Sequence, residues 1–357
     1  MSDAVTAQPE NSAFPSNTWQ GLGSNQAETR SIRSIGHPAL HRLISVLPLR
    51  LRYVAWHVFS SGLFDQAGLK EHAARAAANF AASPIFGPTA EDVARFRHAY
   101  EQEVRNNYCL LLAIAPKLHQ PVQSSFFAVE GLEALRQRVV DRPFLFLGSH
   151  LSAYHSAAVA IAATGLRSIH LTTVMPHRTT FQERWSHLYE LGQRYVDQAI
   201  GNPIPAIIVP DPKATMHLLR ALRRREPIWF AVDTDVGISA STAICAFLGQ
   251  PVAAPTTLYE MALRENAAFF QMDVERTGEV DRPMTHRFRV RIRHDAGPTS
   301  GELEEYHQRL LDQVAEKVKR NPASWTIWRY WDRRQSITEA TPPGATGCDA
   351  EASMQKE

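Results

Sequence analysis

A histidine and a pair of aspartates are the residues of this chain best suited to moving a proton. His150 follows an apolar run, Phe144-Leu-Phe-Leu147, across Gly148-Ser149. Asp233 and Asp235 flank Thr234 behind a second apolar run, Ile228-Trp-Phe-Ala-Val232, and ahead of Gly237. A carboxylate beside an imidazole fixes its tautomer and stabilises the imidazolium, which makes a competent general base. Taken singly, His150 reads equally as a half-buried structural histidine, and Asp233 as a turn or cap residue. The facing arrangement is what turns both toward chemistry. Ser149 and Ser152 lie close to His150, but neither sits in a Gly-x-Ser-x-Gly elbow, so a covalent serine route is set aside.

The elements that must position these groups are strands alternating with helices. Short apolar runs bounded by turn residues read as strands at 126–131, 144–147, 168–174, 206–209, 228–232 and 267–274. Helical spacing fills most of the gaps, at 132–140, 151–164, 180–198, 214–225 and 256–265. Alternation of this kind predicts an α/β fold with a largely parallel central sheet flanked by helices. In such a sheet the strand ends that carry His150 and the Asp233–Asp235 pair open on one edge, where ligands bind. His286 to Ile292 alternates apolar and basic residues and reads as an edge strand with its arginines exposed. An amphipathic helix follows at 301–319, then a stretch dense in Trp and Arg from Asn321 to Arg334.

Ahead of the sheet the pattern is helical. Thr89 caps a helix with Glu91 and Asp92 in its first turn and a stripe of Val93, Phe96, Tyr100, Val104, Tyr108 and Leu111, read as core. Leu40 to Phe64 mixes aliphatic, aromatic and Arg residues, with Arg42, Arg50 and Arg52 interrupting it. That mixture suits a helix lying in a membrane interface, or an amphipathic helix packed on the domain. The domain reading is a disordered leader at 1–36, an N-terminal helical, membrane-associating segment at 37–120, the α/β domain at 121–335 and a disordered tail at 336–357.

Bulk properties narrow the function classes. A formal net charge of +2 is too balanced to argue for nucleic acid. The charge is uneven, however, with clusters at Arg220 and Arg223–Arg225 and along Arg287, Arg289, Arg291 and Arg293 that could face phosphate or acidic lipid. Cys109, Cys245 and Cys348 are scattered, with no metal or disulfide spacing, which suggests a reducing compartment. The start of the chain lacks an apolar secretory core, and no run of 18 uncharged apolar residues suits a spanning helix.

The order of these features resembles the lysophospholipid acyltransferase-like superfamily, and within it the lauroyl and myristoyl acyltransferases of lipid A biosynthesis and their mannoside acyltransferase relatives. The resemblance runs from about Leu40 to Arg334. It is carried by Gly148-Ser149-His150, by Leu219-Arg220-Ala221-Leu222 with the strand ending in Asp233-Thr-Asp235-Val-Gly237, by Phe247-Leu-Gly-Gln-Pro251, and by the Pro322-to-Arg334 ending. The family places Asp or Glu after four residues beyond the histidine; this chain has His155 there. A neutral imidazole supplies no fixed negative charge, and a five-residue step on a helix turns about 140° from the starting face.

The resemblance implies transfer of a fatty acyl group from a thioester, on acyl carrier protein or coenzyme A, to a hydroxyl or amine of a lipid or glycolipid acceptor. It implies His150 as general base oriented by Asp235, and substrate-binding roles for His155, Asp233, Arg194, Lys213 and Arg329. No metal or other cofactor is expected, and the place of work is the cytoplasmic face of the inner membrane, peripherally or monotopically bound. Backbone N–H groups at the start of the 151–164 helix, or a nearby Arg, would hold the oxyanion. Two alternatives stay open: an eroded member that binds lipid or carrier protein without turnover, and a thioester or ester hydrolase.

Overall fold

A computed structural model of the chain describes residues 38–66, 68–114, 125–138, 142–154, 169–173, 206–209, 213–233 and 242–331. The expected leader and tail, the helix expected at 180–198 and all but residues 151–154 of the helix expected at 151–164 lie outside these residues.

Four helices come first: α1 (Pro38–Ser45), α2 (Leu49–Gln66), α3 (Leu69–Ala81) and α4 (Ala90–Ile114). Then follow β1 (Phe127–Glu130), α5 (Leu132–Arg138), β2 (Phe144–Gly148), β3 (Ile169–Thr173), β4 (Ala206–Val209), α6 (Ala214–Arg223) and β5 (Ile228–Ala231). A small hairpin, β6 (Thr242–Phe247) and β7 (Gln250–Pro255), leads into α7 (Thr256–Arg264), β8 (Ala268–Thr277), β9 (Arg287–Asp295) and α8 (Leu303–Arg320). Among the described residues no helix is long and apolar enough to cross a membrane.

The sheet has seven strands in the order β1-β9-β8-β2-β5-β3-β4. The block from β8 to β4 is parallel, β9 runs antiparallel to β8, and β1 runs parallel to β9. The fold is thus mixed α/β with a mostly parallel sheet. All residues of β2 and β5 are buried, as expected of strands covered on both faces, which is why they read as unbroken apolar runs.

Two details differ from what the sequence pattern predicts. β9 is not an edge strand, because β1 pairs along it from Phe127↔Phe288 to Glu130↔Arg291. Three of its four arginines stay partly exposed, as expected, and meet acids: Arg289 and Arg291 share Glu130 at 3.0 and 3.2 Å, Arg291 also meets Glu275 at 3.0 Å, and Arg293 pairs with Asp273. The β6–β7 hairpin is hidden in a Ser/Thr/Ala-rich stretch. Its two turn residues, Leu248 and Gly249, both have positive φ (49° and 76°), the primed geometry that matches strand twist.

Alternation along β8 sorts the helices into two layers. Phe269 packs against Tyr259 of α7 and Tyr306 of α8, and Asp273 pairs with Lys317 of α8. Arg276, of opposite parity, points to the other face and forms a buried pair with Glu103 of α4. On that same face Tyr53 of α2 packs on Phe288, and its hydroxyl lies 2.6 Å from His286 Nδ1. α4 itself starts on a reciprocal cap, in which the Thr89 hydroxyl accepts from the Asp92 N–H and the Asp92 carboxylate accepts from the Thr89 N–H.

Several histidines in these layers are held neutral by burial. His57 is pushed down to about 3, and His286 and His307 to about 4. Burial is the first cause in each case; cationic neighbours add to it at His57 and His286. The unfolded chain therefore binds more protons than the folded one between pH 4 and the ordinary histidine value of about 6.5. Stability should be complete above that value and decline as pH falls toward 4. Urea-unfolding midpoints measured from neutral pH downward are expected to fall through this window. A midpoint that holds level to about pH 4.5 would contradict the assignment.

Candidate active site

β2 and β5 are neighbours, and their register pairs Gly148 with Ala231. Two residues past this pair the chain reaches His150 on one side and Asp233 on the other. Equal overhang from paired strand ends is what brings them together. The Val232 N–H donates to the Gly148 carbonyl at 2.9 Å and extends the pairing into the site. Gly148 is small for a reason: a Cβ there would lie 3.1 Å from the Trp229 indole nitrogen.

His150 Nδ1 lies 2.9 Å from Asp233 Oδ1. The His150 backbone N–H also donates to this carboxylate, at 3.1 and 2.9 Å to its two oxygens. A third donor arrives from the far end of the chain, where Trp325 Nε1–H bonds Asp233 Oδ2 at 2.8 Å. The Asp233 side chain is 0% exposed and that of His150 14%. A buried carboxylate is costly to desolvate unless donors surround it, and charge-assisted bonds of this kind are about twice as strong as neutral ones. With Nδ1 turned to Asp233, Nε2 is the nitrogen left for chemistry. Tyr154 meets the imidazole edge to face at 4.7 Å, and in turn stacks on Trp229 at 6.2 Å.

The C-terminal segment grips the histidine loop by its backbone. Leu151 and Trp325 form an antiparallel bridge. Around it the Ser152 N–H donates to the Ser324 carbonyl at 2.7 Å, and the Thr326 N–H donates to the His150 carbonyl at 2.9 Å. The Thr326 hydroxyl reaches the same carbonyl at 3.0 Å. The helical layer holds this segment from behind: Tyr100 of α4 donates to the Thr326 carbonyl at 2.6 Å, and Asn79 of α3 donates to that of Trp328 at 2.7 Å.

Of the residues singled out from the sequence, His150 and Asp233 meet. Asp233, for which a substrate-binding role is expected, is the carboxylate that meets the imidazole. Asp235, His155 and Arg194 lie outside the described residues. Lys213 is exposed, just ahead of α6. Arg329 turns into the helical layer, where Nη1 meets His72 Nε2 at 2.6 Å. Burial, then the Arg329 charge, push His72 well below its ordinary value, so it serves as a neutral acceptor. The expected helix directly after His150 is absent at 151–154, where bends replace it and Ser152 has a φ of 46°. The N–H groups of His150 and Ser152 are committed to Asp233 and Ser324, so neither supplies the expected oxyanion contact. Among the described residues no group of His, Cys, Asp or Glu is placed to hold a metal ion.

Trp325 and Thr326 escape a reading of the sequence. The tryptophans of this stretch look like core, and Trp325 is core: it is 0% exposed and packs on Trp328, Trp331 and Phe247. Its indole N–H nevertheless belongs to the site. The available signal is that a buried indole must find an acceptor, and a strand-end acid is one.

The sequence profile of the family described as bacterial lipid A biosynthesis acyltransferase matches residues 41–331. No curated protein is significantly similar. Among solved structures, the chain is similar to the 1-acyl-sn-glycerophosphate (LPA) acyltransferase PlsC from Thermotoga maritima, at 12% identity over 76% of this chain and 97% of that one, with a TM-score of 0.32.

Trp325→Phe keeps an aromatic ring in the core but removes one donor from a buried charge, a loss of about 1.5–3 kcal/mol for such a bond. Acyl-transfer turnover is expected to fall about 10- to 100-fold with the fold retained by circular dichroism. Unchanged turnover in a folded variant would show that the indole contact is packing alone.

Proposed function

Because the chain belongs to the bacterial lipid A biosynthesis acyltransferase family, we propose that it moves a fatty acyl group from a thioester to a hydroxyl or amine of a lipid or glycolipid acceptor, with His150 as the base and Asp233 orienting it. The observation that carries this reading is the 2.9 Å contact between His150 Nδ1 and a fully buried carboxylate. Held this way, the imidazole keeps its proton on Nδ1 and presents Nε2. Nε2 takes the proton of the acceptor as the acceptor's oxygen or nitrogen attacks the thioester carbonyl carbon. The tetrahedral intermediate collapses, the C–S bond breaks, and the thiolate leaves with the proton from the imidazolium. The products are an acylated acceptor and a free thiol. Asp233 stays ionised throughout and stabilises the imidazolium between the two proton transfers.

A membrane contact fits the outer surface of the helical layer. α2 is apolar on two sides: Tyr53, Trp56 and Ser60 face inward, while Leu51, Val58 and Phe59 are exposed. Leu43 at 67% and Val46 at 72% exposure, on and just after α1, add to this apolar surface beside the exposed Arg42, while Arg50 turns its guanidinium to the Met284 carbonyl. Exposed apolar side chains with an arginine beside them suit peripheral binding to anionic lipid. On this basis the proposed place of work is a membrane surface, and the resemblance assigns it to the cytoplasmic face.

His150→Ala is expected to reduce both thiol release and formation of acylated lipid at least about 100-fold, the usual scale of a general base, with unchanged secondary structure. Product analysis by mass separates the outcomes. Free fatty acid in place of acylated lipid from the unaltered protein would mean hydrolysis, and full activity in the variant would remove His150 from the mechanism.

A further inference from the structure

We infer that the outer face of α6 is the docking surface for an acidic protein that carries the acyl group as a thioester; this rests on the acyl-transfer reading above. α6 is two-sided. Ala214, Leu218, Ala221 and Leu222 are buried against the sheet. At a helical turn of about 100° per residue, Met216, Arg220, Arg223 and Arg224 fall on the opposite side together with Lys213 at its start, and all five are exposed. The helix holds no acidic residue. Of its arginines, only Arg223 meets a carboxylate among the described residues in a direct ion pair, Glu265 at 3.0 Å. Arg220 and Arg224 extend into solvent, as does Arg225 in the turn beyond. This contrasts with the arginines of β9, where Arg289, Arg291 and Arg293 are matched by Glu130, Glu275 and Asp273. Arginine clusters left unmatched on a surface attract an acidic partner and steer its approach.

The position of the strip favours a protein donor. Lys213 follows the carboxyl end of β4, on the sheet edge where β2 and β5 deliver His150 and Asp233. Along that edge β4 stands three strands from β2, about 14 Å at ordinary strand spacing. The strip runs away from this edge for about 15 Å along the helix, longer than one small anion needs but well matched to an acidic helix. Met216, 42% exposed between the cations, offers an apolar contact within it. α6 also packs with α7, through Arg223 and Glu265, on the sheet face opposite α2 and α4. The apolar surface of α1 and α2 thus lies across the sheet from the cationic strip. A membrane on one side and a carrier on the other can be engaged together.

The test compares Arg220→Glu/Arg224→Glu with the unaltered protein on three donors: an acyl chain on acyl carrier protein, on coenzyme A and on pantetheine. The double variant is expected to lower kcat/KM for the carrier-borne donor, relative to the pantetheine thioester, at least about tenfold. Added salt should erase the same preference in the unaltered protein. An unchanged ratio would overturn the inference, as would a loss confined to acyl-coenzyme A. Loss of binding to anionic phospholipid vesicles with the carrier preference intact would reassign the strip to lipid. Direct binding of a carrier bearing a non-hydrolysable acyl analogue separates this inference from the reading beneath it. Charge-dependent binding without turnover by the unaltered protein would sink the acyl-transfer reading and keep the docking surface, whereas equal binding by protein and variant would sink the docking surface.

Discussion

A single buried carboxylate governs the architecture around it. Asp233 is closed to solvent, and an unpaired charge in that position would be strongly destabilising. It is satisfied by donors from two distant parts of the chain: the backbone and ring of His150, and the indole of Trp325. Each donor is itself placed by something larger. The register of β2 on β5 sets the histidine, and an antiparallel bridge to Leu151 sets the tryptophan. The charge that meets the imidazole therefore also ties the C-terminal segment to the centre of the sheet.

That tie continues into the helical layer. Tyr100 and Asn79 hold the carbonyls of Thr326 and Trp328, and Trp328 packs among Phe80, Phe86 and Phe96. A second polar seam, Glu103 with Arg276 and Tyr53 with His286, joins the same layer to β8 and to the start of β9. The helices that present apolar side chains outward are thus fastened to the His150 loop through a short series of hydrogen bonds. A shift of α4 could not leave the Thr326–His150 contacts unchanged. Attachment of this kind would keep the proposed base aimed.

Much of the core is legible in the sequence because its signals are local. Buried parallel strands read as unbroken apolar runs, and β2, β4 and β5 fall within a residue of their expected bounds. The cap at Thr89 and the stripe along α4 are equally plain. What escapes depends on pairing across the chain. No local feature says that β1 covers β9, and alternating arginines look alike on an edge and on an inner strand whose acids come from elsewhere. In the site, His150 and a carboxylate at the end of β5 are readable from strand ends. The choice between Asp233 and Asp235 is not, because it depends on register: Asp233 is the residue whose overhang past Ala231 equals that of His150 past Gly148. Trp325 is hidden for another reason. A buried tryptophan satisfies the expectation of a core residue completely, and its one polar atom leaves no mark on the pattern.

The central claim is that Asp233 fixes the tautomer of His150. Nitrogen-15 chemical shifts of the His150 ring, recorded on selectively labelled protein at a pH where the ring is neutral, report it directly. A proton on Nδ1 and a bare Nε2 are expected, with that preference lost in Asp233→Asn. A proton on Nε2 in the unaltered protein, leaving Nδ1 bare beside the carboxylate, would contradict the claim.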